Sequence, residues 1–124
     1  MSRILVVEDE KDIAELIAMY LHRAGHTVEQ IGSGATALVK AKASPPDLIV
    51  LDLMLPGMDG LLVCQALRAD PATAAIPVIA VTASVMASDR RNIVDAGFDG
   101  YVGKPLNLKE FLEAVAAAVK ERGA

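Results

Sequence analysis

Five short strand-like runs punctuate the chain, and the segments between them change to helical spacing. Ile4-Leu5-Val6-Val7, Thr27-Val28-Glu29-Gln30-Ile31, the continuous Leu48-Ile49-Val50-Leu51, Val78-Ile79-Ala80-Val81-Thr82 and Gly100-Tyr101-Val102-Gly103 read as strands. The continuous apolar run Leu48 to Leu51 belongs to a strand covered on both faces. Over residues 11–24, Ile13, Leu16, Ile17, Tyr20, Leu21 and Ala24 follow helical spacing, and Gly25 stands where a left-handed cap belongs. A second, alanine-rich helix follows Gly32-Ser33-Gly34, runs through Lys42, and is ended by Pro45 and Pro46. A third is expected from near Asp59 through Leu67, broken at Asp70-Pro71, and a fourth from Ser88 to Ala96, stopped by Gly97. In the last helix Leu108, Phe111, Leu112, Val115 and Val119 share one face, and Asn107 with Glu110 resembles a capping box. Alternation of strand and helix predicts an α/β fold with a parallel sheet covered on both sides. A doubly wound sheet fits better than a barrel, which needs about twice the length.

At 124 residues and 53% hydrophobic, residues 1–124 are expected to form a single domain with one core. Cys64 is the only cysteine, so internal disulfides and thiolate clusters are excluded, and the start of the chain has no charged-then-apolar leader. A cytoplasmic home is expected. The longest uncharged stretch, Pro71 to Ser88, contains two prolines, two threonines and two serines, which argues against a spanning helix. A net charge of −4 with no basic stripe disfavours direct nucleic-acid binding and favours protein partners.

Candidate chemistry gathers at the strand ends. The carboxyl-side rim of a parallel sheet is its ligand crevice. There the first strand delivers Glu8 and Asp9, the third Asp52, the fourth Thr82 and the fifth Lys104. Three crowded carboxylates repel by roughly 4 kcal/mol per pair at about 4 Å and an effective dielectric near 20, so the site calls for a cation. An oxygen-only set without His or Cys suits Mg²⁺. Lys104 and Thr82 suit an incoming phosphoryl group, which makes Asp52 a nucleophile that forms an aspartyl phosphate.

In order and spacing, Glu8-Asp9, Asp52, Thr82-Ala83 and Lys104-Pro105 resemble the motifs of response-regulator receiver domains across the whole chain. The resemblance implies a flavodoxin-like (βα)5 fold with strand order 2-1-3-4-5. It also implies phosphorylation of Asp52 by a histidine kinase or histidine phosphotransfer protein. Mg²⁺, for which Mn²⁺ can substitute, would be held by Asp9 and Asp52 directly, by Glu8 through water, and by the backbone carbonyl of Met54. Thr82 and Lys104 would contact the phosphoryl oxygens, Tyr101 would be an aromatic switch moving with Thr82, and the Lys104-Pro105 peptide would be cis. Met54 and Ser84 stand at the two positions that flank the path of water in this family, and neither is a strong base.

The resemblance further implies that the domain is no separate enzyme but assists its own phosphorylation and dephosphorylation. With no linker or DNA-binding helix pair after the last helix, the signal is expected to leave through a protein target. The surface for it would be the fourth helix, fifth strand and fifth helix, on a monomer or weak phosphorylation-dependent dimer. The stretch 97–101 lacks the paired acids common in receivers of DNA-binding regulators, and so looks more like a stand-alone or hybrid-kinase receiver.

Two other classes compete. A Mg²⁺-dependent aspartyl-phosphate phosphohydrolase wants a second acid two residues after the nucleophile, where Met54 stands. A flavodoxin-like FMN carrier shares the fold, but Glu8-Asp9-Glu10 would repel its phosphate. Asp59 and Glu10 read as a cap and a solvated helix start, His22 and His26 as surface residues, and Cys64 as a small buried hydrophobe.

Overall fold

The computed structural model describes residues 2–55, 57–83 and 87–123, with side chains for all of these except 87–89 and 120–123. The elements are β1 (Arg3–Val7), α1 (Lys11–Arg23), β2 (Thr27–Ile31), α2 (Gly34–Ala43) and β3 (Leu48–Asp52). They continue as α3 (Gly60–Ala69), β4 (Val78–Thr82), α4 (Ala87–Asp95), β5 (Gly100–Gly103) and α5 (Leu108–Gly123). The five strands are parallel in the order β2-β1-β3-β4-β5, as the resemblance implied.

Strand alternation divides the core in two. Leu5, Val7, Ile49, Leu51, Val78 and Ala80 face one side, where Ala37 and Ala41 of α2, Val63, Cys64 and Leu67 of α3, and Ile93 and Ala96 at α4 close over them. Ile4, Val6, Leu48, Val50, Ile79 and Val81 face the other, against Ile17 and Leu21 of α1 and Phe111, Val115 and Ala118 of α5. Every residue of β3 and β4 is buried, so these central strands show the continuous apolar run rather than alternation with water.

Caps fix where the helices begin. Ser33 Oγ accepts from Thr36 N (3.2 Å), Asp59 Oδ1 from Leu61 N (2.8 Å) and Asn107 Oδ1 from Glu110 N (3.0 Å). Asp59 is thus the cap expected of it. Gly25 (φ 93°) and Gly97 (φ 100°) follow α1 and α4 in the left-handed region. Two readings needed adjustment. Helix α3 runs two residues past Leu67, because Pro71 restrains only its immediate predecessor, Asp70, which is extended at φ −101° and ψ 122°. Leu108, placed on the buried face of α5, is 39% exposed, because it opens the first turn beyond the sheet. Cys64 is fully buried; His26 is half-buried rather than exposed. Among the described residues no helix is long and apolar enough to cross a membrane.

Candidate functional site

The crevice at the carboxyl ends of the strands is built by chain turns that sequence dictates. Glu8 N donates to Ile31 O at 2.9 Å, which extends the β1–β2 ladder one residue past β1 and carries the Glu8 side chain inward. Its oxygen Oε2 accepts from Glu10 N at 3.2 Å. At the end of β3, Asp52 is buried at 3% exposure, and its Oδ1 accepts from Met54 N at 3.0 Å, so the loop itself aims the carboxylate. Gly60 lets α3 begin directly against this turn. A Cβ there would stand 2.7 Å from Asp52 O and 2.7 Å from Leu53 Cα, both backbone atoms that cannot yield cheaply. Pro56, also expected to shape this loop, lies outside the described residues.

The other wall comes from β4 and β5. Thr82 is buried at the end of β4, and its carbonyl accepts from Lys104 N at 2.8 Å, which ties the end of β5 to it. The Lys104-Pro105 peptide is cis, as expected. Lys104 Nζ lies 3.2 Å from Glu8 Oε1 and 3.6 Å from Asp52 Oδ2. One oxygen from each of Glu8, Asp9 and Asp52 falls within 4.8 Å of the others, so these three could hold a metal ion. The two acids after β1 are not equivalent, however: Glu8 is buried and Asp9 exposed.

The structure therefore brings Glu8, Asp9, Asp52 and Lys104 together, with Thr82 tied to Lys104 through the backbone. Tyr101, on β5, makes no described contact with them and is 36% exposed. Glu10 is solvated. Met54 is 75% exposed at the rim and shares with Leu53, Asp59, Leu61, Thr82, Asn92 and Ile93 a pocket of about 180 Å³ beside the acidic cluster. Ser84 lies outside the described residues. Sequence reasoning missed the guanidinium of Arg90, whose Cζ sits 5.9 Å from the Tyr101 ring centroid; an exposed helical arginine carries no sequence signal of what it covers.

Electrostatics fit a cation. Glu8 Oε1 is buried without a well-directed hydrogen-bond donor, even with the Lys104 ammonium beside it. Burial foremost, then the neighbouring Asp52, pushes the Glu8 carboxyl from 4.5 up to about 7. Burial alone would lower Lys104, but its close contact with Glu8 and the charges of Asp52, Glu8 and Glu10 outweigh it and hold the ammonium above its usual value.

A pH dependence follows for the metal-free fold. A carboxyl whose folded pKa is raised adds stability below its unfolded value near 4.5 and loses it as pH climbs through about 7. In chelator, Glu8→Gln is expected to match the parent in stability near pH 4.5, to gain on it up to about pH 7 and to hold that gain at pH 8. The gain per pH unit should stay below about 1.4 kcal/mol. Urea unfolding of both proteins at pH 5, 6.5 and 8 measures this, and a pH-independent difference would refute burial of the charge as the cause.

Comparison with known proteins places this geometry. The response regulator receiver domain model matches residues 4–116. The DNA-binding dual master transcriptional regulator RpaA of Synechocystis is 42% identical over 120 residues, which are 97% of this chain and 50% of that protein. Among solved structures, a response regulator from Chloroflexus aurantiacus superposes with a TM-score of 0.92 at 30% identity, covering 96% of this chain and 98% of that one. The receiver domain of the sensor histidine kinase PA1611 from Pseudomonas aeruginosa, solved with magnesium coordinated in its active-site cleft, gives 0.88 at 29% identity, with 96% and 98% covered.

These relatives correct the expectation about partners. The sequence pointed to protein partners alone, without nucleic acid; yet RpaA is a DNA-binding regulator. The chain spans about half the length of the curated relatives it matches. Net charge and a missing acid pair report only on the surface of this one domain. They hold no information on contacts that relatives of twice the length make elsewhere.

Proposed function

This chain belongs to the response regulator receiver domain family, and on that premise we propose that Asp52 is its phosphoacceptor, with Lys104 and Thr82 as the groups that attend the transferring phosphoryl. A receiver is the phosphoacceptor of two-component signalling. The observation that carries the assignment is the burial of Asp52 at the end of β3, one oxygen held by Met54 N and the other facing Lys104.

The step is a displacement at phosphorus. An Asp52 carboxylate oxygen attacks the phosphoryl group of a phosphohistidine, the P–N bond breaks, and its electron pair leaves with the imidazole, which keeps or takes up a proton. Lys104 offsets charge on the equatorial oxygens, and the Thr82 hydroxyl donates to one of them. Glu8, Asp9 and Asp52, with the backbone carbonyl of Met54, would hold Mg²⁺, or Mn²⁺ in its place, which supplies further positive charge to those oxygens. The buried Glu8 oxygen that lacks a directed hydrogen bond and the all-oxygen donor set support that choice. In this reading the domain, a single unit over residues 1–124 in the cytoplasm, assists its own phosphorylation and hydrolysis rather than acting on a separate substrate. Thr82 and Tyr101 form the switch: Thr82 is drawn toward the new phosphoryl group, and the ring follows into the space it leaves.

Incubation with Mg²⁺ and a small acyl phosphate is expected to add one phosphoryl mass to the intact chain. No gain would overturn the reading. Met54 offers thioether bulk where an amide would orient water, so Met54→Asn combined with Ser84→Glu should shorten the life of the phosphorylated form several-fold. An unchanged decay of the phosphorylated mass would remove these positions from the mechanism.

A further inference from the structure

We propose that Arg90 is a latch that holds the Tyr101 ring outside in the resting protein; the inference rests on the switch role given to Tyr101 above. Val102 belongs to the core on the α5 side of the sheet, so its neighbour Tyr101 faces the opposite side, where α4 lies. In register, Tyr101 stands opposite Ala80 and Gly103 opposite Thr82, which puts the ring two residues down the strand from the hydroxyl that moves. Arg90 precedes the buried Ile93 by three residues, so it projects from the flank of α4 nearest the sheet. Its guanidinium carbon sits 5.9 Å from the ring centroid, within the range of a cation–π stack.

A planar, weakly hydrated guanidinium over an aromatic face stabilises one position of the ring and is lost in any other. At a site this exposed the attraction biases a two-state equilibrium by about two- to fivefold. Ring entry therefore requires Arg90 to let go, and the latch opposes the arrangement in which Thr82 closes on Asp52. That same arrangement stabilises the phosphoryl group in flight. Releasing the latch should speed phosphorylation as well as move the ring. The sign is diagnostic, because removing a cation from this region disfavours an anionic donor on electrostatic grounds alone.

The chain has two tyrosines, and Tyr20 packs near Phe111 at 6.3 Å between centroids, a contact that phenylalanine preserves. In a Tyr20→Phe background labelled with fluorotyrosine, the single fluorine resonance reports Tyr101. Without any phosphoryl donor, Arg90→Gln is expected to shift it toward the position the parent adopts with Mg²⁺ and beryllofluoride, with Arg90→Lys in between. With a small acyl phosphate at sub-saturating concentration, Arg90→Gln should phosphorylate about two- to fivefold faster than the parent. The faster rate should vanish in a Tyr101→Leu background. A resonance that stays at the resting position in Arg90→Gln, an unchanged or slower rate, or an equal gain without the Tyr101 ring would each overturn the latch. If the parent gains no phosphoryl mass, or its resonance ignores beryllofluoride, the acceptor or switch reading fails instead. Where the parent resonance does respond to beryllofluoride, the fluorine shift of Arg90→Gln still decides whether the stack holds the ring; where it does not, the latch falls with the switch.

Discussion

Asp52→Asn is expected to abolish the gain of one phosphoryl mass, lowering the rate with a small acyl phosphate by more than about a thousandfold, while the fold persists. The amide is nearly isosteric, and its oxygen can keep the hydrogen bond from Met54 N now made at 3.0 Å. Lys104 keeps its closer partner, Glu8, at 3.2 Å. One of the crowded carboxylates disappears, which relieves repulsion with Glu8 and should leave the metal-free protein at least as stable. What is lost is chemical: an amide has no anionic oxygen to attack phosphorus, and an effect confined to the transition state of this magnitude corresponds to about 4 kcal/mol or more. Intact mass with and without Mg²⁺, beside a urea unfolding curve, separates loss of chemistry from loss of fold. Asp59→Asn serves as the internal contrast, because Asp59 only caps α3 through Leu61 N. A phosphoryl gain in Asp52→Asn, or its loss in Asp59→Asn, would move the acceptor elsewhere.

The place of the proposed acceptor, Asp52, was legible because it depends on one unambiguous signal, the continuous run from Leu48 to Leu51, and an acid at the end of such a run has few other uses. Thr82 and Lys104 were legible for the same reason, since strand ends in a parallel sheet share a rim. The division of labour between Glu8 and Asp9 was not. Adjacent residues at a strand end point in different directions, and only the extra ladder bond from Glu8 N to Ile31 O decides which one turns inward. The resemblance supplied roles for both acids, but the burial of one and the exposure of the other are properties of register. Tyr101 could be located on β5, but not its cover, because a stack between α4 and an edge strand leaves no periodic trace. The partner expectation failed for a different physical reason: charge pattern describes one domain's own surface, and the relatives are about twice as long.

Arg68 was invisible to sequence patterning as well, and its removal is expected to have the largest effect on stability of any single change at a described surface-proximal residue. Its side chain is 17% exposed at the end of α3. Nε donates to Gly97 O at 2.9 Å, Nη1 to Ala74 O at 3.0 Å and Ile76 O at 2.6 Å, and Nη2 to Asp99 Oδ2 at 2.8 Å. Asp99, itself 7% exposed, also accepts from Val78 N at 2.8 Å, so one guanidinium joins α3, the segment before β4 and the turn after α4. A single planar fork reaches these acceptors, which a lysine cannot do. Arg68→Ala leaves a mostly buried carboxylate and several carbonyls short of a donor and should cost about 3–5 kcal/mol. Arg68→Lys should recover only part of that, about 1–2 kcal/mol. Val78 lies at the start of β4 and Thr82 at its end, roughly 13 Å apart along the strand. Phosphorylation of the remaining folded protein should therefore proceed at the parent rate. Urea midpoints for Arg68→Ala, Asp99→Asn and the double variant measure the coupling. A loss below about 1 kcal/mol in Arg68→Ala, or strict additivity in the double variant, would show that these bonds are individually replaceable by water.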